Sequence, residues 1–348
     1  MKTSDWREYF SDRGLDDDLI ETYINYASPL LKKNLPVIFE FDHLSAILGI
    51  NRQYLANMVA SPESFYREFH IPKRSGEKRL IRAPHQSLLF CQRWILSNIL
   101  YKIKIHRSAH GFVPGASIKS NAEPHIGSAM LLKMDLRDFF PSIPKSWVLN
   151  LFSDLGYAGN VSYYLASLCC FDDSLAQGAA TSPAISNIVL KSLDNRLKKL
   201  TEKANLKYTR YADDLTFSGN FIHCSFPGIV KNIVSEYGLS INDHKTRLKS
   251  HHGTRIVTGV SICNNTLSAP RHFKRKIKNE IHFIEKFGIL SHMSHNRIFN
   301  PNYLQSLLGR ISFWLYLEPE NNEALRAKSY ISKLTNFGEI GQQAAKLA

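Results

Sequence analysis

Residues 208–219 read YTRYADDLTFSG, a polar–apolar alternation suited to strands but broken by two adjacent aspartates, Asp213 and Asp214. Aspartate is disfavoured inside a sheet and two neighbouring carboxylates repel, so the pair belongs at the turn between two short strands. At a hairpin tip both acids can stay solvated and converge on one point. A hard divalent cation with oxygen ligands relieves that repulsion. The plain alternative is an exposed acidic turn, and a four-letter pattern does not decide between the two.

A metal reading calls for a third acid. Asp135 closes the apolar run AMLLKMD, which reads as a strand able to lie beside the hairpin, and it stands just before the chain turns at FFPS. Asp138 is the competing acid nearby. Three carboxylates on neighbouring strands can hold two Mg²⁺ ions, the arrangement that activates an attacking hydroxyl and stabilises departing pyrophosphate. The reaction class implied is nucleotidyl transfer.

Around these acids the chain alternates in type. Residues 129–250 run strand, helix, helix, hairpin, helix, strand, an α+β order that approximates a ferredoxin-like split βαβ sheet with one extra helix. The last strand of that series is expected in LSINDHKTRLKS, and the helix after QGAATSP presents Ile185, Ile188, Val189 and Leu193 on one face. Upstream, FHIPKRSGEKRLIRAP reads as two strands joined at Ser75-Gly76, followed by a helix. Residues 1–65 and those from about 266 onward read as helical.

Lys and Arg number 44 against 30 Asp and Glu, a formal net charge of +14, which points to a polyanionic partner, nucleic acid first. The N-terminus is charged throughout and no apolar run reaches the length of a membrane span. The five cysteines form no CxxC pair, so neither a disulfide framework nor a zinc site is supported. A reduced, cytoplasmic protein is expected.

Taken together, the motifs resemble those of reverse transcriptases, and more narrowly the bacterial retron type, over roughly residues 70–320. YADD is similar to the metal-binding hairpin of that family, with Asp213 and Asp214 as ligands, and MDLRDFFPS to its first palm motif, with Asp135 as the third ligand. Phe140 then falls at the aromatic gate that excludes a ribose 2′-OH, and Gln177 and Gly178 of QGAATSP against template–primer and incoming nucleotide. GLSINDHKT resembles the later palm motif, with Lys245 as proton donor to pyrophosphate. KRLIRAP resembles the fingers strand, with Arg79 on the triphosphate and Lys78 assisting. NAEPHIG, with Asn121 and His125, and the triplet Val257, Thr258, Gly259 are similar to segments characteristic of retron enzymes.

The resemblance implies a right-hand polymerase with fingers, ferredoxin-like palm and helical thumb: a helical extension over 1–65, fingers and palm over 66–265, and a thumb over 266–348. It implies two Mg²⁺ ions, dNTP substrates, and a cognate structured noncoding RNA as template. Priming from a guanosine 2′-OH would give a branched RNA–DNA hybrid in an antiphage defence system, with any effector a separate protein. Group II intron-like kin acting on another RNA, and a polymerase-derived scaffold without turnover, are the alternatives.

Each residue also has a plainer role. Phe140 could be a core aromatic beside Phe139, Lys245 a solvated lysine, and Arg79 is hard to separate from Lys78 and Arg82. His125 is expected to position rather than to exchange protons, Cys169 and Cys170 to be buried, and His251 and His252 to lie in a loop. In RHFKRKIKNEIHFI, Phe273, Ile277, Ile281 and Ile284 share one helix face and Arg271, Lys274, Arg275 and Lys278 the other, a face suited to duplex phosphates. Phe313 and Trp314 are expected in the core.

Overall fold

The computed structural model describes residues 3–72, 76–250, 255–263 and 266–347, without the side chains of Thr3, Cys263 and 336–347. Ser75, His251 and His252 lie outside the described residues. Contacts divide the chain into one unit of residues 1–115, 133–215 and 223–246, and another of 116–132, 216–222 and 247–348.

The first unit opens with helices, as the sequence predicts. Asp17–Lys32 buries Ile20, Ile24, Ala27 and Leu30, a three-to-four spacing that puts one stripe inward, and Trp6, Phe10, Tyr23 and Phe39 form an aromatic cluster against it. Strands β1 (Tyr66–Pro72) and β2 (Lys78–Pro84) pair antiparallel and lead into the helix Gln86–Asn98. Strand β3 (Met130–Asp135) is followed by helices Lys145–Leu155 and Gly159–Cys169, then by the small hairpin of β4 (Cys170–Phe171) and β5 (Ser174–Leu175). Cys169 and Cys170 are buried as expected. The segment after QGAATSP forms two helices, Ser182–Val189 and Lys191–Lys203, that meet at Leu190 rather than one.

Strands β6 (Lys207–Tyr211) and β7 (Asp214–Gly219) flank the Asp pair, and β8 (Arg247–Lys249) closes the series. Their order in the sheet is β6-β7-β3-β8, so the first of the four in sequence lies between the third and the fourth, the ferredoxin-like arrangement. The expected strand over 239–250 is shorter than the sequence suggests. Only Arg247–Lys249 is strand, and Asp243–Lys245 is a 3₁₀ turn in which the Lys245 amide donates to the Asn242 carbonyl at 3.1 Å. Asn242 and Asp243 are turn-forming residues, which explains the break.

The second unit is not wholly helical from 266. Strands β9 (Arg255–Val257), β10 (Val260–Cys263) and β11 (Thr266–Ser268) form an antiparallel sheet in the order β11-β10-β9. Val257 pairs with Val260, so Thr258 and Gly259 form the two-residue turn, at φ 45° and 83°. Two left-handed residues in a row match the twist of a tight hairpin, which is what a Gly there supplies. Val257, Val260 and Ile262 share a core with Ile277, Ile281 and Ile284 of helix Arg271–Phe287 and with Leu307, Ile311 and Trp314 of helix Tyr303–Leu317. Phe273 and Phe313 are partly buried against it, edge to face at 5.4 Å. No helix among the described residues is long and apolar enough to cross a membrane.

Candidate active site

The hairpin tip holding the Asp pair is a two-residue turn, Ala212-Asp213, with Ala212 in the left-handed region at φ 55°. A residue with a Cβ is strained there by about 1–2 kcal/mol, so its surroundings must enforce the conformation. They do so from below. Arg210 and Asp194 form an ion pair with no solvent exposure on either side chain. Nε of Arg210 donates to Asp194 Oδ1 at 2.8 Å and Nη2 to Oδ2 at 2.6 Å, while Nη1 donates to Asn187 Oδ1 at 3.0 Å and to the Ala212 carbonyl at 3.2 Å. Asn187 in turn donates to the Gly111 carbonyl at 2.8 Å, and Tyr208 donates to Asp194 at 2.8 Å. Gly111 lies so close that a Cβ on it would stand 2.5 Å from the Ala212 nitrogen.

Asp135 ends β3 and is buried. The Leu136 amide donates to the Asp213 carbonyl at 3.0 Å and the Asn242 amide to the Asp135 carbonyl at 2.7 Å, which ties strand end, hairpin tip and 3₁₀ turn together. Lys245 Nζ donates to both oxygens of Asp135 at 2.9 Å. Burial pulls the Lys245 ammonium down, but its bond to Asp135 and the charges of Asp135, Asp213 and Asp214 outweigh that and raise its pKa. Asp213 is pushed up to about 6, first by burial and then by the charge of Asp135. Asp214 is raised too, by burial, with Lys133 opposing.

Among the described residues no three His, Cys, Asp or Glu side chains already stand as a metal-ligand set. The donor chemistry of Asp135, Asp213 and Asp214 nonetheless suits Mg²⁺. These are hard carboxylate oxygens, and their mutual repulsion, felt at Asp213, is what a dication relieves. The cation that Asp135 meets here is the Lys245 ammonium.

A cleft of about 530 Å³ gathers Lys78, Arg79, Asp135, Phe140, Gln177, Asp213 and Lys245; Gly178 and Asp214 do not line it. Here the structure separates neighbours that sequence could not. Phe139 is buried, whereas Phe140 is half-buried and faces the cleft. Arg82 is bound to Glu68 at 2.7 Å and stacked over Phe171 at 4.0 Å, whereas Lys78 and Arg79 are exposed. Asp138 also lines the cleft, exposed and at φ 43°, but the carboxylates whose charges raise Asp213 are Asp135 and, less, Asp214.

Gly178 sits at φ +128°, and a Cβ there would lie 2.5 Å from the Arg82 carbonyl oxygen, so only Gly lets this loop lie on β2. The Gln177 carbonyl accepts from the Arg82 amide at 2.9 Å. Behind the loop, buried Gln92 donates to the Tyr66 hydroxyl and the Leu168 carbonyl and accepts from the Ala180 amide at 3.0 Å. Phe112 is a cleft residue the sequence reading did not single out: exposed, left-handed at φ 60°, its ring 6.3 Å from Phe140 and 6.4 Å from Tyr211.

In the second unit, Asn121, His125 and Val257, which the resemblance assigns to nucleic-acid contact, are all buried. Asn121 Nδ2 donates to the Thr258 hydroxyl at 3.2 Å, and His125 Nδ1 lies 2.6 Å from Ser218 Oγ. Of the triplet, Thr258 is half-buried and only Gly259 is exposed. On helix Arg271–Phe287, Lys274 is paired with Glu318 at 3.0 Å and Lys278 with Glu323, so the basic face presents fewer unspent cations than the sequence suggests. Arg271 and Arg275 are exposed.

Residues 71–283 match the family described as Reverse transcriptase (RNA-dependent DNA polymerase). The chain belongs to the reverse transcriptases. It is 34% identical to Retron Mx65 reverse transcriptase of Myxococcus xanthus, over 85% of this chain and 72% of that one. It is also 34% identical to Retron Ec86 reverse transcriptase of Escherichia coli, over 86% of this chain and 91% of that one. Among solved structures, telomerase from Candida albicans aligns with a TM-score of 0.41 at 12% identity, over 76% of this chain and 63% of that one. The reverse transcriptase is thus of the retron type and of the right-hand polymerase fold class, and its sheet order is that of a ferredoxin-like palm.

The raised Asp213 pKa gives this reverse transcriptase a signed pH dependence. Between its ordinary 3.8 and about 6 the folded state holds more protons than the unfolded one, so stability without divalent cation falls as pH rises through that window. Asp213→Asn removes the penalty. Thermal melts in chelator should show the variant more stable than wild type at pH 7.5, by roughly 1–3 kcal/mol, and equal to it near pH 4. A variant no more stable at pH 7.5 would contradict the assigned environment of Asp213.

Proposed function

We propose that this reverse transcriptase is the RNA-directed DNA polymerase of a retron, copying a cognate structured noncoding RNA into DNA. The observation that carries the reading is the cleft that brings Lys78, Arg79, Phe140, Gln177, Asp135, Asp213 and Lys245 together. In domain terms, residues 1–65 are a helical extension, 66–265 fingers and palm, and 266–348 the thumb.

Asp135, Asp213 and Asp214 are the residues that would hold two Mg²⁺ ions. Bound there, such ions activate the attacking hydroxyl and stabilise the departing pyrophosphate. Arg79, with its planar fork of donors, and Lys78 grip the triphosphate from β2. Gln177, on a loop that Gly178 allows to lie against β2, borders the incoming nucleotide and the template–primer. Phe140, half-buried in the cleft wall, would exclude a 2′-OH. Lys245 carries its proton on Nζ at neutral pH, since the surrounding carboxylates raise its pKa. On release from Asp135 that ammonium can protonate the leaving pyrophosphate.

The finer reading rests on the resemblance of the sequence motifs to retron enzymes: priming from a guanosine 2′-OH of the same RNA, a branched RNA–DNA hybrid as product, and a role in antiphage defence with a separate effector. The protein would work in the cytoplasm on dNTPs and RNA.

Cells carrying the gene with its flanking DNA should accumulate a small DNA linked to RNase-sensitive RNA. Asp213→Asn/Asp214→Asn should abolish it. The species persisting in the variant would overturn the site, and its absence from wild type, with primer extension on RNA intact in the purified protein, would overturn the retron reading. Phe140→Ala should admit ribonucleotides at least tenfold more readily at unchanged dNTP KM; unaltered dNTP-over-rNTP selectivity would remove Phe140 from the gate.

A further inference from the structure

Between residues 283 and 299 the second unit leaves four large apolar side chains in solvent: Phe283, Phe287, Leu290 and Phe299, the last two 80% and 90% exposed. Scattered apolar residues on a surface need no explanation, but two of these are organised. Phe283 and Phe287, one helical turn apart, lie nearly parallel at 6.2 Å and 18° and form one wall of a cavity of about 310 Å³. Its other lining residues are Ser291, His292, His295 and Asn296.

The polar side of this cavity is pre-ordered. His292 is buried, its Nε2 3.0 Å from the Tyr303 hydroxyl, and Asn296 Nδ2 donates to the His292 carbonyl at 2.9 Å. Ser291, His295 and Asn296 remain exposed along the rim. An aromatic wall in a cavity that also holds polar side chains, two of them held in place, is the layout that receives a flat heterocycle, stacking on its face and hydrogen-bonding to its edge.

Charge selects which heterocycle. Lys286 Nζ lies over the Phe287 ring at 5.2 Å and the His282 ring stands 5.6 Å from Phe283. Helix Arg271–Phe287 carries six Lys or Arg against two Glu, and one of those, Glu280, is spent on Arg310 at 2.5 and 2.9 Å and on the Tyr303 hydroxyl at 2.9 Å. Among the described residues no carboxylate lines the cavity, and Glu285 is the one exposed acid on the helix. A polyanion with exposed bases fits that surround.

We propose that Phe283 and Phe287 form a stacking platform for an unpaired base of single-stranded RNA, with Lys286 beside its phosphate and Ser291, His295 and Asn296 at its edge. This rests on the reading that the protein's partner is RNA, and adds that a loop or bulge, not only duplex backbone, is recognised. Its chemistry is distinct from the basic face, where phosphate attraction is blind to pairing.

The test uses the full-length protein and two probes: an RNA hairpin with a six-nucleotide adenosine loop carrying 2-aminopurine, and a blunt duplex of the same stem. Wild type should bind the hairpin more tightly and quench the 2-aminopurine. Phe283→Ala/Phe287→Ala should raise the hairpin Kd about tenfold or more and abolish quenching, leave the duplex Kd and its salt slope unchanged, and be rescued by Phe283→Tyr/Phe287→Tyr. Unchanged hairpin binding overturns the proposal, as does equal loss for hairpin and duplex. So does a variant that keeps its RNA affinity while losing a copurifying protein, since the platform then serves a protein. Extension of a DNA primer annealed to RNA, run in parallel, reports on the polymerase reading separately and should not differ between wild type and variant.

Discussion

A guanidinium and a carboxylate with no access to water, Arg210 and Asp194, set the position of the candidate catalytic acids. Burying such a pair is costly, and removing one partner alone strands the other at about 3–5 kcal/mol. What the pair gives in return is placement. Through Arg210 the ion pair reaches the Ala212 carbonyl and Asn187, and through Asn187 the Gly111 backbone, so a strained turn is held on all sides. Asp213 lies in that turn and Asp214 opens β7 beside it, and the backbone bond from Leu136 to Asp213 ties the end of β3, with Asp135, to the turn. Burial, and after it the charges of Asp135 and Asp214, raise Asp213 to about 6 on this scaffold.

The sequence shows this scaffold unevenly. The acids, the two strands around them and the sheet order were legible because a strand alternates with period two and Asp breaks it at a visible place. The clamp was not. Asn187 and Asp194 sit on two helices upstream of Arg210, and nothing in one sequence says that a polar residue on an otherwise apolar helix face will meet a strand residue. Phe139 and Phe140, or Arg79 and Arg82, likewise differ only in what they touch, and sequence records type, not contact. Gly178 carried a readable signal, since a Gly beside Gln in a small-residue loop invites close backbone approach, and that is what β2 provides.

The two short segments that point to the retron type show how motif and role can part. Asn121 and Thr258 are far apart in sequence and joined by one hydrogen bond, and His125 is locked against Ser218. The Asn121 bond ties its segment to the turn at Thr258 and Gly259, and the His125 bond ties it to β7. The helix expected to track phosphates is also partly self-neutralised, by Glu318 and Glu323. The side chains it does offer to solvent include aromatics, which an amphipathic reading of the helix assigns to neither face.

The most direct test of this account replaces the buried pair by apolar side chains of similar size, Arg210→Met with Asp194→Leu, and measures single-turnover dNTP addition to a primer on an RNA template. Such swaps are often tolerated by a fold, because both charges leave together. With circular dichroism, melting temperature and template affinity near wild type, the account predicts a rate lower by about a hundredfold, since the turn bearing Asp213 loses the donor that fixes it. A folded double variant that adds nucleotides at the wild-type rate would contradict it.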